Sequence, residues 1–377
     1  MSNLLTNSRL SCFRTCPFKH FLSYEKGIRK DRQSTALRMG SAVHEGLDQL
    51  AKGIPLTDVM DSILAGYETV PAWAEAHEWM TEGYTVQRLV HAYALRYEGE
   101  GFQVVATELG FEVPIKNPAT GAKTPSFKLA GKIDKIVKLP DGRLAILEHK
   151  TTSESIEPSS EYWNKLRLDT QISLYIYAAK ELGYDIGTII YDVIRKPGIA
   201  PKKVVKKDIL REVNITTGEE AMPTYFGETF DFDAPPESET PQMFAARLSH
   251  DISERPDFYF ARQEVARTSL DIEEAMYELW MQQQTIREHQ KTDRWYKNTN
   301  ACLHPYRCEY TNICFNNVNL AEGIPEGFVK VDNVHPELEL KDASSPATES
   351  KPPIELTDDS GNVFATLIDP RGLFKRK

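Results

Sequence analysis

Two apolar runs, FKLAGKIDKIVKL (residues 127–139) and RLAILEHKTT (143–152), flank Pro140-Asp141-Gly142. An Asp-Gly pair tolerates the backbone of a tight reversal between strand-like segments, so this stretch predicts a β-hairpin. A third extended run, FQVVATELGFEVPI, precedes it from about residue 102. The surroundings exclude an all-β chain. Residues 162 to 183 read as one helix with Leu174, Tyr175, Ala178 and Leu182 on one side, and Gly187 to Ile194 is a continuous apolar run long enough for a buried parallel strand. Upstream, Met39, Val43, Leu47 and Leu50 keep helical spacing over about 35–52, where Gly40 and Ser41 allow close approach, and further helices are predicted near 56–68 and 75–98. The order helix, three strands, helix, strand predicts an α/β fold with a mixed central sheet.

Beyond Arg195 come a lysine-rich segment (Lys202, Lys203, Lys206, Lys207), strands to about 233, a helix near 240–253, the extended FYFARQEV and a long helix over about 270–291. From about 326 the chain turns acidic and rich in Pro and Ser (ELELKDASSPATESKPPIELTDDS), which buries too little apolar surface to offset the entropy of ordering. The predicted organisation is one body over 1–325, with a helical insertion at about 53–100, and a disordered acidic tail over 326–377.

Hydrophobic residues are 41% and charged residues 27% of the 377, so disordered, collagen-like and disulfide-scaffold classes are excluded. No run is long enough to span a bilayer and the first residues lack a signal peptide's apolar stretch, so no membrane partner and a cytoplasmic, reducing compartment are expected. The net charge of -10 disfavours a general polyanion binder, yet residues 1–40 hold eight Lys/Arg against two acids. These cations alternate with Phe13, Phe18, Phe21 and Tyr24, an arrangement that suits either a nucleic-acid strand or a core. ATGAKT lacks the Gly-Lys-Ser/Thr order of a phosphate-binding loop, so no ATP motor is encoded.

Candidate chemistry concentrates on the hairpin. Glu148 and Lys150 lie two apart on one strand and share a face, while Asp134 lies on the preceding strand. Two carboxylates and an amine suit metal-assisted phosphodiester hydrolysis, in which hard oxygens hold Mg²⁺ or Mn²⁺. The plain alternative is a surface ion pair, but Glu148 emerges directly from Leu144-Ala145-Ile146-Leu147, where desolvation without a ligand is costly. Convergence depends on register: a two-residue turn at Asp141-Gly142 would set Asp134 opposite His149, so a three-residue loop or a bulge is expected. His44 adds an imidazole from the first long helix, and Gln171 and Tyr175 stand one helical turn apart.

In order and spacing, His44 in GSAVHEGLD, Asp134 in GKIDKI, Glu148-His149-Lys150 in ILEHKTT, and Gln171 with Tyr175 in QISLYIY resemble the RecB-type branch of the PD-(D/E)xK nuclease superfamily, across roughly residues 8–318. The resemblance implies a restriction-endonuclease-like core in which His44, Asp134, Glu148 and the backbone carbonyl of His149 bind metal. Lys150 would be the catalytic lysine, and Gln171 and Tyr175 would organise DNA. Glu108 stands where several relatives carry another acid, with Glu112 as a competitor.

Grouped cysteines in a reducing compartment point to a metal before they point to disulfides. Cys16-Pro17, with Cys302, Cys308 and Cys314 in ACLHPYRCEYTNIC, resembles the iron–sulfur staple of the same branch, found in AddAB-type and CRISPR-associated RecB-like exonucleases. The resemblance implies a 4Fe-4S cluster, with Cys12 as the spare thiol. The five residues between Cys302 and Cys308 depart from the shorter spacing of those relatives, and zinc with His304 replacing one thiolate is the alternative.

The function these features predict is a metal-dependent DNA exonuclease acting on single strands or ends in recombination, repair or replication, with DNA as partner and a recombination or replication protein recruited through the tail. Two other readings stay open: a catalytically idle DNA-end-binding scaffold, and a CRISPR adaptation nuclease.

Overall fold

The computed structural model describes residues 3–211, 222–231, 234–339, 354–357 and 363–367. The chain enters through β1 (Leu4–Leu5), α1 (Asn7–Thr15), α2 (Pro17–His20), a π-turn at Phe21–Glu25 and β2 (Ile28–Lys30). Three helices follow, α3 (Thr35–Ala51), α4 (Leu56–Ala65) and α5 (Ala76–Arg96), then the strands β3 (Gln103–Lys116), β4 (Lys123–Lys138) and β5 (Leu144–Thr152). Next come α6 (Glu161–Leu168), α7 (Thr170–Glu181), β6 (Ile186–Arg195) and a small sheet of β7 (Ile209–Leu210), β8 (Thr224–Tyr225) and β9 (Glu228–Thr229). The rest comprises α8 (Pro241–Glu254), α9 (Pro256–Tyr259), β10 (Phe260–Ala266), α10 (Ser269–Thr292), α11 (Thr311–Phe315), β11 (Phe328–Lys330) and the pair β12 (Ile354–Thr357) and β13 (Val363–Leu367).

The main sheet is mixed, in the order β1-β4-β5-β6-β10, with β3 against the other edge of β4. The β4–β5 hairpin closes on three residues, Pro140 to Gly142: Leu139 and Arg143 pair through the backbone, and Gly142 takes φ +90°. The ladder then runs from Lys138↔Leu144 to Lys135↔Leu147, a register that brings Asp134 level with Glu148, as expected of a three-residue loop. β1 holds β4 further back, at Lys128 and Leu129. The two neighbours leave residues 130–134 between them, and the candidate site forms there.

One face of the sheet is covered by α7 and α10, whose Ile172, Tyr175, Ile176, Met276, Leu279 and Ile286 pack on Ile133, Ile136, Ile146 and Val193. A second core, Val43, Leu47, Val86, Leu89, Phe244 and Leu248, joins α3, the inserted α4 and α5, and α8. Both cores follow from helical spacing of apolar residues that cannot be buried within a single helix.

Two expectations are corrected. The helix predicted over 162–183 is two helices, because Asp169 takes an extended backbone and its carboxylate accepts the Gln171 N–H at 2.9 Å, capping a new helix. Within the tail predicted from 326, residues 326–339 are folded onto the body: β11 pairs antiparallel with β2, Val331 N–H donates to the Gly27 carbonyl, and Thr6 donates to Glu337. Gly27 has φ +67°, and a Cβ there would lie 2.4 Å from the Val331 oxygen, so this docking needs glycine. Averaging over an acidic window hides Phe328, which packs on Tyr310. β12 and β13 pair antiparallel within the predicted tail; its remainder beyond residue 339 lies outside the described residues.

Candidate active site

β5 emerges from the apolar core carrying Glu148 and Lys150. Lys150 Nζ donates to Glu148 Oε1 at 2.8 Å and to Gln171 Oε1 at 2.7 Å, and Gln171 Nε2 donates to the same Glu148 oxygen at 2.8 Å. The Asp169 cap creates this triangle, since it starts α7 at the residue that aims Gln171 at β5. Tyr175, one turn along, is buried, and its phenol is held well above its usual range by burial and then by the Glu148 charge.

Asp134 completes the acidic pair. Its Oδ2 accepts the His149 N–H at 2.9 Å and lies 3.4 Å from His44 Nδ1 of α3. Burial alone would raise the Asp134 pKa, but the His44 imidazole, His149 and Lys150 outweigh it and hold the carboxyl below its usual range. Glu148 goes the other way, raised by burial and then by the Asp134 charge. Burial would lower both His44 and Lys150, yet Asp134 raises the first and Glu148 the second. One atom stands out: Glu148 Oε2 is buried with no hydrogen-bond partner. A desolvated carboxylate oxygen beside a second carboxylate is short of a cation.

The His149 side chain serves a network that sequence reasoning missed. Its Nδ1 lies 3.5 Å from Asp192 Oδ2 on β6 without a hydrogen bond, and Asp192, fully buried, accepts from Tyr93 of α5 and from Arg262 of β10. An aspartate inside the apolar run IIYDVI was the available signal. Glu108 has φ +48°, falls in the β3 ladder between rungs that bracket Asp134, and pairs with Lys132. Glu112 is remote from that rung and pairs with Lys128 on an exposed edge. Lys196 lies beside the site, its N–H donating to the Thr152 carbonyl and its Nζ to that of Ala36.

Of the two roles left open for the basic arm, its aromatics take the core. Arg9 is fully buried, bonded to His20, the Leu4 carbonyl and Glu25, while Phe13 and Tyr24 are core and Phe18 and Phe21 pack under the cysteine loop. These aromatics are taken up by packing. Cys16, Cys302, Cys308 and Cys314 line one cavity of about 320 Å³, together with His304, Lys19 and Lys297. Asn298 N–H donates to Cys16 Sγ at 3.3 Å. Cys12 is not in its lining, and burial pushes its thiol up to about 11. Among the described residues no three His, Cys, Asp or Glu side chains are drawn into a ready-made metal cage, and no helix is long and apolar enough to cross a membrane.

A profile of the PD-(D/E)XK nuclease superfamily matches residues 5–315. No curated protein matches the chain. Among solved structures, one described as "Putative exonuclease" from Eubacterium rectale is similar over 84% of this chain and 89% of its own, at 14% identity and a TM-score of 0.42. Another, described as SSO0001, is similar over 69% and 79% respectively, at 11% identity and a TM-score of 0.22.

Proposed function

The chain belongs to the PD-(D/E)XK nuclease superfamily, and from that premise we propose that it is a metal-dependent DNA exonuclease of the RecB-type branch, acting on single strands or ends. The observation that carries the reading is the Glu148 carboxylate, gripped on Oε1 by Lys150 and Gln171 and orphaned on buried Oε2, beside an ionised Asp134. That donor set fits a divalent cation, held by Asp134, Glu148, His44 and the His149 carbonyl. When bound there, Mg²⁺ or Mn²⁺ supplies a Lewis acid for the phosphoryl group and an acidified water.

The protein's own groups have separable tasks. Asp134 stays ionised, kept so by its neighbours. Lys150 stays protonated through Glu148 and offers a fixed positive charge to the pentavalent transition state, where charge builds on the non-bridging oxygens. Gln171 holds Glu148 and Lys150 in one geometry, which lowers the reorganisation needed at reaction. Tyr175 stays a neutral phenol beside them.

The second part of the proposal is a 4Fe-4S cluster on Cys16, Cys302, Cys308 and Cys314. Four unpaired thiols around one cavity fit it, and the peptide N–H on Cys16 Sγ is the kind of bond that steadies a metal-bound thiolate. The cluster supplies a covalent tie between the N-terminal arm and the loop after α10, nearly three hundred residues apart. Zinc on three of these thiols and His304 is the competing occupant.

The deciding experiment incubates 5′-labelled, 3′-labelled, end-blocked and circular single strands, and blunt duplex, with Mg²⁺ or Mn²⁺. Linear single strands should be shortened from an end, faster than duplex. Circular strands cut as fast as linear ones would replace the exonuclease with an endonuclease, and no cleavage with either metal would favour a DNA-end-binding scaffold.

A further inference from the structure

The aromatics of the arm are buried (Phe13, Tyr24) or half-buried against the cysteine loop (Phe18, Phe21), yet the insertion brings another to the arm's cations. Trp73, in the loop between α4 and α5, is 42% exposed. The Arg38 guanidinium lies 5.1 Å from its ring centroid and 5.2 Å from that of Trp79, and Arg32 lies 5.6 Å from Trp73. The two indoles meet edge to face at 5.7 Å.

The support beneath Trp73 is rigid. Arg38 forms a two-pronged pair with nearly buried Glu82, at 2.7 and 3.1 Å. Glu82 also accepts from Tyr67, whose carbonyl accepts from Trp79 Nε1. The Tyr67 ring sits so close over Gly83 that an added Cβ would lie 2.7 Å away. Glu82 balances Arg38, but Arg32 is 57% exposed and its pair with Asp31 is at 3.9 Å, so a positive charge stays open to solvent beside the indole.

The position is close to the chemistry. Arg38 is six residues before His44 on α3, about 9 Å along the axis. Gly40, between them, packs on Thr151, the residue after Lys150, where a Cβ would lie 3.1 Å from Thr151 Oγ1. Lys196 ties the first turn of α3 to the end of β5. We propose that Trp73, with Arg32 and Arg38, is a stacking station for a nucleobase of a single DNA strand leading into the Asp134–Glu148–Lys150 site. The inference rests on the nuclease reading and adds the determinant that prefers a strand with accessible bases: an indole face takes any base, Arg32 takes a phosphate of the strand, and Arg38, balanced by Glu82, braces the ring.

The test is binding without catalysis. Fluorescence anisotropy in EDTA compares a labelled oligothymidylate with an abasic strand of the same length. Wild type should bind the thymidylate at least fivefold more tightly. Trp73→Ala should weaken thymidylate binding by about fivefold to 150-fold, the range of a lost base–aromatic stack, and change abasic binding less than twofold. Trp73→Phe should restore the preference, while Trp73→Leu, which keeps apolar bulk for the fold but no ring face, should behave as the alanine variant. Equal binding of the two strands by wild type, or equal loss on both in the alanine and leucine variants, overturns the station and leaves the nuclease reading standing. If wild type binds neither strand, the DNA reading fails and the station with it.

Discussion

His20 offers a prediction whose size follows from its surroundings. The imidazole is fully buried, stacked between Tyr24 and Trp295 at 5.4 and 5.3 Å, and its Nε2 accepts from Arg9 Nε at 3.0 Å. Protonation would place a second cation against a buried guanidinium. Burial first, then Arg9, His289 and His335, push its pKa down to about 2. The unfolded chain titrates near the ordinary value of about 6.5, so below that pH it binds a proton that the folded chain refuses. His20 therefore stabilises fully above about pH 6.5, and its contribution falls as pH drops toward 2. At pH 5, about 1.5 units into that window, the loss is about 2 kcal/mol. His20→Gln keeps an acceptor for Arg9 but does not titrate. Urea unfolding of both proteins at pH 7.5, 6 and 5 should show wild type losing about 2 kcal/mol more than the variant across the range, while titrations common to both cancel. A wild-type-minus-variant difference that stays flat with pH would refute the reasoning.

The remaining predictions concern the site and the proposed staple. An ideal Cβ at Gly131 would lie 2.5 Å from Phe111 Cζ and 3.3 Å from Tyr175 Cε1, so Gly131→Ala should cost about 1–3 kcal/mol by overpacking, read from urea midpoints; an unchanged midpoint would reject the close fit. Lys150→Ala and Asp134→Ala should each abolish cleavage with near wild-type DNA binding, and calorimetry should find Mn²⁺ affinity weakened only by the aspartate change. Wild-type cleavage by either would move the chemistry elsewhere. Anaerobically purified protein should be brown with iron and sulfide bound, and Cys16→Ala should lose colour and thermal stability together. A colourless protein with one zinc per chain would reject the cluster.

How much of this was legible in the sequence depends on how local each feature is. Helix and strand positions follow from apolar periodicity, which is why α3 and β6 lie within a residue or two of their predicted limits. The hairpin could be read from Pro140-Asp141-Gly142, but its register could not: an Asp-Gly pair also suits a two-residue turn, and only the structure, closing the loop on three residues, sets Asp134 level with Glu148. The break at Asp169 was equally local, an unread N-cap that now aims Gln171 at Glu148. Other features were beyond any window of sequence. Nothing within residues 1–40 says that Arg9 and Tyr24 are core while Arg32 meets an indole from the insertion, since composition cannot tell a buried cation with partners from a solvated one. The Asp192–Tyr93–Arg262 cluster under His149 joins two strands and a helix far apart in the chain. Sequence determined the elements and the candidate groups of the site, because backbone geometry and turn chemistry act over a few residues. Tertiary structure decided which polar groups lose water together, because desolvation and charge pairing depend on what packing brings within a few ångströms, whatever the separation along the chain.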